Sequence, residues 1–309
     1  MKQEKSFTLI EILVVIVVIG ILSSFILVGM SSVSNSANLA KGQAYMNSIR
    51  NSLLISLVTE WKFDENTGTT TTDSWNNIVG TWNGSASANF RPSSECVSSY
   101  CIQFDGVDDY IEKTNVNTTP LYNITNEITV SAWFKRMGAS GGTNASGWHG
   151  IVRSANGFNW YPRVLVSSSG GQIYLQYKDS SDGLDKEFTS TASLSFILNK
   201  WHYLTVTKGS YGVKIYFDGR EVGSNSSLTG PMSNGSSSFL MGCGVTPLLH
   251  YMANGAIDNV LIYNSAISVS EIQETYYSGI TRLLSKGIIT NQEFLTRINN
   301  LLANNYLKK

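Results

Sequence analysis

The chain has 309 residues, with 22 basic and 22 acidic side chains, and only 14% of its residues are charged. A typical soluble protein carries about 25% charged residues, so the polar surface here must come from the Ser, Thr, Asn and Gly that fill the chain from Asn66 onward. A formal net charge of zero leaves no basic field to hold phosphates, and nucleic acid is not expected as a partner.

The first predicted element is "KSFTLIEILVVIVVIGILSSFILVGM", Lys5 to Met30, almost wholly apolar past Phe7 and broken by Thr8, Glu11, Ser23 and Ser24. About 20 such residues in a helix cross a bilayer core. Lys2 and Lys5 lie before the run, on the side that the positive-inside rule keeps in the cytoplasm. A cleaved secretory signal would have a shorter apolar core followed by a small-residue site, which this stretch lacks. An ordinary anchor has the right length but leaves Glu11 without a reason. A carboxylate costs about 2.5–3.5 kcal/mol at the centre of a membrane helix and less near one end, and a partner charge is the usual compensation.

The stretch "SFTLIEILVVIVVIG" resembles the N-terminus of type IV pilins and of the related pseudopilins of type II secretion. The resemblance implies a leader, Met1–Ser6, cut off by a prepilin peptidase between Ser6 and Phe7, and methylation of the new Phe7 amine. It implies that Glu11 pairs with the Phe7 amine of a neighbouring subunit during assembly. Ser6 stands where that family usually has glycine. The precursor would cross the cytoplasmic membrane once with its N-terminus inside, and other pilin subunits would be its partners. The assembled product would be a cell-surface pilus or a periplasmic pseudopilus; the N-terminus is common to both.

No proline occurs from Ser31 to Val58, and Val33, Ala37, Ala40, Ala44, Ile49, Leu53 and Leu57 approximate one stripe of a 3.6-residue period. Residues 7–57 therefore read as one long helix, with 7–30 in the membrane and the remainder amphipathic.

From Glu60 the period changes. "TEWKFDENTG", "EITVSAWFKR", "GQIYLQYK", "KWHYLTVTKG", "VKIYFDGREVG" and "AIDNVLIYN" are short runs rich in β-branched and aromatic residues, separated by Gly/Ser/Asn/Thr loops. Asp218-Gly219 signals a tight hairpin and Asp105-Gly106 a second. Many strands without intervening helices predict a mainly β fold, an antiparallel sandwich or barrel, over residues 58–279.

"LVTEWKFDENTGTTTTDSWNN", "IQFDGVDDYIE", "EITVSAWFKR", "NKWHYLTVTK", "VKIYFDGREVGS" and "GAIDNVLIYNSAISVSEIQETYYSG" follow in order the pattern of laminin-G-like jelly rolls of the concanavalin A-like lectin/glucanase superfamily, which this region resembles. The resemblance implies core roles for Trp133 and Trp201 on facing sheets. It also implies a structural calcium ion at Asp73 and Asp258, with Asp64 as a further ligand. Without the ion, Asp73 would form an Asx turn and Asp258 would cap a strand loop. A head of this kind would either recognise a surface glycan or protein or be displayed as an inert module, and Trp148, Trp160 and Tyr161, read as loop aromatics in "SGWHGIVRSANGFNWYPR", are the candidate ligand contacts. Within the pseudopilin alternative the head would bind nothing.

Glycosidases of that superfamily place their carboxyls in an E-x-D-x-x-E pattern on one strand face, and no such pattern occurs here. Glu60, Asp64 and Glu65 are close in sequence, but on a strand Asp64 and Glu65 would point to opposite faces. Asp108, Asp109 and Glu112 read as a solvated turn, and the three histidines, His149, His202 and His250, lack nucleophile signatures. Catalysis is not expected. Outside the cytoplasm, Cys96 and Cys101 are expected to form a local disulfide and Cys243 a buried free thiol. The tail opens on a Ser268-x-x-Glu271 capping box, and residues 280–309 read as a short helical hairpin broken at Gly287. Thr290 caps its second helix, whose apolar face is Phe294, Ile298, Leu301 and Leu302.

Overall fold

The structure is a computed structural model, and it describes residues 53–85, 88–141, 147–154, 163–167, 171–191, 194–233, 238–243 and 251–306. Ser6, Phe7, Glu11, the apolar run 7–30, Trp160, Tyr161 and His250 lie outside the described residues. Among those described, no helix is long and apolar enough to cross a membrane. Residues Leu53–Lys309 make one compact unit.

After a helical turn at 53–56, the strands follow in chain order. The first six are β1 (Leu57–Trp61), β2 (Thr70–Thr72), β3 (Val79–Asn83), β4 (Asn89–Arg91), β5 (Cys101–Asp105) and β6 (Tyr110–Thr114). Then come β7 (Ile128–Arg136), β8 (Trp148–Ser154), β9 (Arg163–Ser167), β10 (Ile173–Lys178) and β11 (Asp185–Thr189). The last are β12 (Trp201–Gly209), β13 (Gly212–Phe217), β14 (Arg220–Asn225), β15 (Ser238–Met241) and β16 (Asn254–Tyr263). Two helices, α1 (Val269–Ser285) and α2 (Asn291–Tyr306), end the chain.

The strands form two eight-stranded antiparallel sheets. The first runs β14-β13-β12-β7-β16-β5-β4, with β1 also on β16; the second runs β11-β10-β9-β8-β15-β6-β3-β2. A jelly-roll sandwich results, as the strand pattern predicts.

Period-2 alternation explains the layers. On β7, Val130, Ala132 and Phe134 enter the core between the sheets, and Trp133 points the other way. On β12, Leu204 and Val206 face inward while Trp201 and Tyr203 face outward. Both faces of these strands are buried because α1 and α2 cover the outer one with Ile272, Tyr276, Ile280, Leu283 and Leu301. On β16 a bulge between Asp258 and Leu261, with Asn259 at φ 49°, inserts one residue and keeps Ile257, Val260 and Ile262 all in the core.

Trp133 and Trp201 are therefore not on facing sheets. They share the outer face of the first sheet, where Tyr203 lies opposite Trp133 and Lys135 opposite Trp201. The Asp218-Gly219 turn closes the β13–β14 hairpin, both residues having positive φ (50° and 75°). Asp105-Gly106 is no hairpin: β5 belongs to the first sheet and β6 to the second, so this turn carries the chain between layers.

The Ser268 side chain and Glu271 form the expected capping box of α1. This helix continues through Gly279 to Ser285, so the boundary drawn at 279/280 falls inside it. Gly287, at φ 70°, follows its end. The Glu293 amide donates to Thr290 Oγ1 at 3.1 Å and opens α2. On α2 Phe294, Ile298 and Leu301 meet the sandwich, Leu302 is exposed, and the buried Arg297 takes an inward position by donating to the Trp201 carbonyl.

Candidate binding face on the second sheet

In "IYLQYK" of β10, Ile173, Leu175 and Tyr177 are buried, and Tyr174, Gln176 and Lys178 point to the outer face of the second sheet. Register sets Leu165 of β9 beside Tyr174, Arg163 beside Gln176, and Glu187 of β11 on the far side of Gln176. Trp148 opens β8 opposite Ser167 of β9.

These side chains form one continuous layer. The rings of Trp148 and Tyr174 lie 5.6 Å apart. The Arg163 guanidinium sits 5.9 Å from the Tyr174 ring and 5.5 Å from that of Tyr251, a distance at which a cation is attracted to an aromatic face. Arg163 donates to Gln176 Oε1, and Gln176 Nε2 donates to Glu187 Oε1 at 2.8 Å. Burial first, then the hydrogen bond and charge of Glu187, push the Tyr174 hydroxyl above its ordinary range. Tyr251 holds φ 57°, rare for an aromatic residue, and its carbonyl accepts from the Gly150 amide at 2.7 Å. Arg153 of β8, also buried, is pushed down to about 10 by burial first and by Arg163 second. Half-buried aromatic faces beside fixed planar donors and acceptors can stack on an apolar ligand face and hydrogen-bond its edge.

Trp148 thus lies on a strand, not in a loop, and packs on Tyr174. Arg163, Tyr174, Gln176 and Glu187 are functional candidates that the sequence reading missed. The alternation in "GQIYLQYK" was the available signal, since it puts Tyr174 and Gln176 on the face opposite the core.

Asp73, Asp258 and Asp64 do not form a three-carboxylate cluster among the described residues, although Asp64 lies near enough to Asp258 to act on its charge. The Asp73 carboxylate accepts from the backbone amides of Glu60, Trp75 (3.2 Å) and Asn76 (2.6 Å), an Asx turn tied back to β1. Asp258 is fully buried and accepts from the Ser98 amide at 2.8 Å and hydroxyl at 2.6 Å; burial first raises it to about 7. Asp64 accepts from the Tyr100 amide at 2.9 Å. Each of the three already accepts protein hydrogen bonds, and with no third carboxylate beside any of them the described residues do not make the shell of six to eight oxygens that calcium takes.

Two side-chain groups converge among the described residues: Cys96, Cys101 and Asp258, and Asp105, Asp108 and Asp109. Cys96 and Cys101 are joined in a disulfide, Cα to Cα 5.5 Å, so they offer no thiolate; Cys243 is a buried free thiol. Asp109 is not solvated: burial raises it to about 6, and its Oδ2 accepts from the Asp105 amide at 3.0 Å. Asp64 and Glu65 lie in a turn after β1, so strand geometry does not orient them; Glu65 accepts from the Thr72 amide at 2.7 Å. His149 is buried, its Nδ1 accepting from the Asn254 amide at 3.2 Å, and burial lowers it to about 4.

A family described as the concanavalin A-like lectin/glucanases superfamily matches residues 105–273, and the prokaryotic N-terminal methylation motif matches residues 1–27. No curated protein matches the chain. Among solved structures it is similar to domain 4 of AbnA, a GH43 extracellular arabinanase from Geobacillus stearothermophilus, in complex with arabinotriose. Identity is 19%, the TM-score 0.52, and the match covers 71% of this chain and 97% of that one. It is also similar to a botulinum neurotoxin type C structure whose report ties cell entry to two ganglioside molecules (17% identity, TM-score 0.55, 74% of this chain and 53% of that one). The binding domain of Paraclostridial Mosquitocidal Protein 1 is a third (16%, 0.53, 73% and 53%). The chain spans about half the length of these toxin domains. At such identities the likeness is one of fold.

Proposed function

The chain belongs to the concanavalin A-like lectin/glucanase superfamily, and we propose that it is a type IV pilin-like filament subunit whose head binds a glycan at the cell surface. The observation that carries the reading is the layer of Trp148, Tyr174, Arg163, Gln176 and Glu187 on the outer face of the second sheet. Sugars present apolar C–H faces to aromatic rings and hydroxyl edges to planar polar groups, and this layer supplies both. The AbnA domain is solved with arabinotriose and the toxin report concerns gangliosides, so oligosaccharides are the first ligands to try. The methylation motif at residues 1–27 implies a membrane-anchored precursor, prepilin processing and assembly with other pilin subunits. The head's task is binding, not catalysis.

The test is a glycan array probed with the full chain in detergent, followed by calorimetry on the best ligand. Trp148→Ala removes one aromatic contact, about 1 kcal/mol beyond its area, and should weaken binding at least fivefold while the fold is kept, the melting midpoint falling by no more than about 2–4 °C for the lost Tyr174 contact. A head that binds no glycan, or a variant that binds like the wild type, contradicts the reading.

A further inference from the structure

A cleft of about 600 Å³ opens between the Trp201 end of the first sheet and helix α2, away from the face described above. Small-molecule sites commonly measure about 300–1,000 Å³. Its charged lining is Lys200, Arg220 and Arg297 against Asp218 and Glu293. His202 Nε2 accepts the Ile197 amide at 3.3 Å, which places the ring proton on Nδ1, donated to Asp218 Oδ2 at 2.8 Å. Apart from that ring, the three cations of the lining against its two carboxylates leave one net positive charge.

Both carboxylates are already engaged by protein donors. Asp218 Oδ1 accepts from the Tyr203 amide at 2.9 Å, and Glu293 accepts from Arg297 at 2.9 Å and faces Lys200 at 3.3 Å. Arg297 is held inside by the Trp201 carbonyl at 2.9 Å. The Lys200 ammonium has three donors, and its side chain is 43% exposed. Arg220, just after the Asp218-Gly219 turn, also lines the cleft. The lining also includes the uncharged hydrogen-bonding side chains of Ser195, Thr290, Gln292, Thr296 and Asn300. The Phe217 ring is its aromatic lining, packed against Phe196 at 4.5 Å and His202 at 4.8 Å.

We propose that this cleft binds an acidic monosaccharide, its carboxylate between Lys200 and Arg220, its hydroxyls on the neutral side chains and its apolar face on Phe217. One net positive charge matches one carboxylate. A phosphate, close to doubly charged and without an apolar face, matches neither the charge nor the Phe217 ring.

The test uses the full chain in detergent micelles with D-glucuronate as the probe, read by saturation-transfer NMR and calorimetry. Glucuronate should bind, with glucose at least tenfold weaker and inorganic phosphate failing to displace it. Lys200→Gln with Arg220→Gln should lower glucuronate affinity at least tenfold. Asn300→Trp, which fills the cleft without changing its charge, should abolish binding, and it decides the matter if the double variant is unstable. Trp148→Ala should change nothing here, which separates this site from the glycan face of the second sheet. Absence of glucuronate binding, equal binding of glucose, displacement by phosphate, or retained binding in Asn300→Trp overturns the proposal.

Discussion

A side chain at Gly279 would occupy the space of the Trp133 indole: an ideal Cβ there would lie 2.2 Å from Cζ2 of the ring. The missing side chain lets α1 lie flat on the first sheet. The indole stacks on Tyr276 of that helix (5.7 Å, 16°) and meets Tyr203 at 5.2 Å on the sheet side, so it has little room to yield.

Gly279→Ala sets two effects against each other. Alanine gains about 1 kcal/mol of helix propensity, but overpacking a fixed ring costs about 1–3 kcal/mol. The prediction is a net destabilisation of about 1 kcal/mol or more in denaturant unfolding. An unchanged or raised midpoint would show that α1 does not press on Trp133.

Asp258 makes stability depend on pH. Burial raises its folded-state pKa to about 7, so at intermediate pH the folded chain holds a proton that the unfolded chain has released. The contribution is complete below about pH 4 and is lost as pH rises through 7, at up to about 1.4 kcal/mol per pH unit. Asp109, raised to about 6, acts in the same sense, and His149, lowered to about 4, in the opposite one. The difference between wild type and Asp258→Asn isolates the effect; Asp64 and Lys286 are the charged neighbours common to both. Wild type should lose stability relative to the variant from pH 4 to pH 7. A constant difference would show that Asp258 titrates normally.

Much of this fold was legible because its central strands alternate cleanly, as in Val130, Ala132 and Phe134 of β7. The three-residue β2 and β4 and the polar β11 were not, since so few residues carry no period. Alternation also does not say which sheet a strand joins, so it cannot reveal that Trp133 and Trp201 share one face. Asp109 reads as a solvent turn beside Asp108, and only the crossing between sheets buries it. On the candidate face Trp148 was visible as an aromatic, but its partners Tyr174, Arg163 and Glu187 come from three other strands and meet only through register. Matching sequence positions to a calcium site likewise does not reveal that backbone amides already engage the Asp73 carboxylate.

The Cys96–Cys101 disulfide closes a short loop against β16 and the end of α1, where Lys286 Nζ donates to the Cys96 carbonyl at 3.1 Å. A loop of this length constrains the unfolded chain by about 2 kcal/mol. Cys96→Ala with Cys101→Ala should lower unfolding stability by about that amount. Both sulfurs are fully buried, so a thiol reductant should leave the bond intact until denaturant is added. Rapid reduction of the native chain would contradict this burial.

The central claim is that this chain becomes part of a fibre with its head outside the cell. Immunogold electron microscopy with antibody against the head tests it most directly, on cells making wild type or Glu11→Ala in place of their own copy. Wild type should label fibres at the cell surface, and the variant, without the carboxylate that the pilin resemblance pairs with a neighbour's Phe7 amine, should leave them bare while remaining in the membrane fraction. Gold confined to the cell envelope in wild type, or fibres labelled equally in both, would contradict the account.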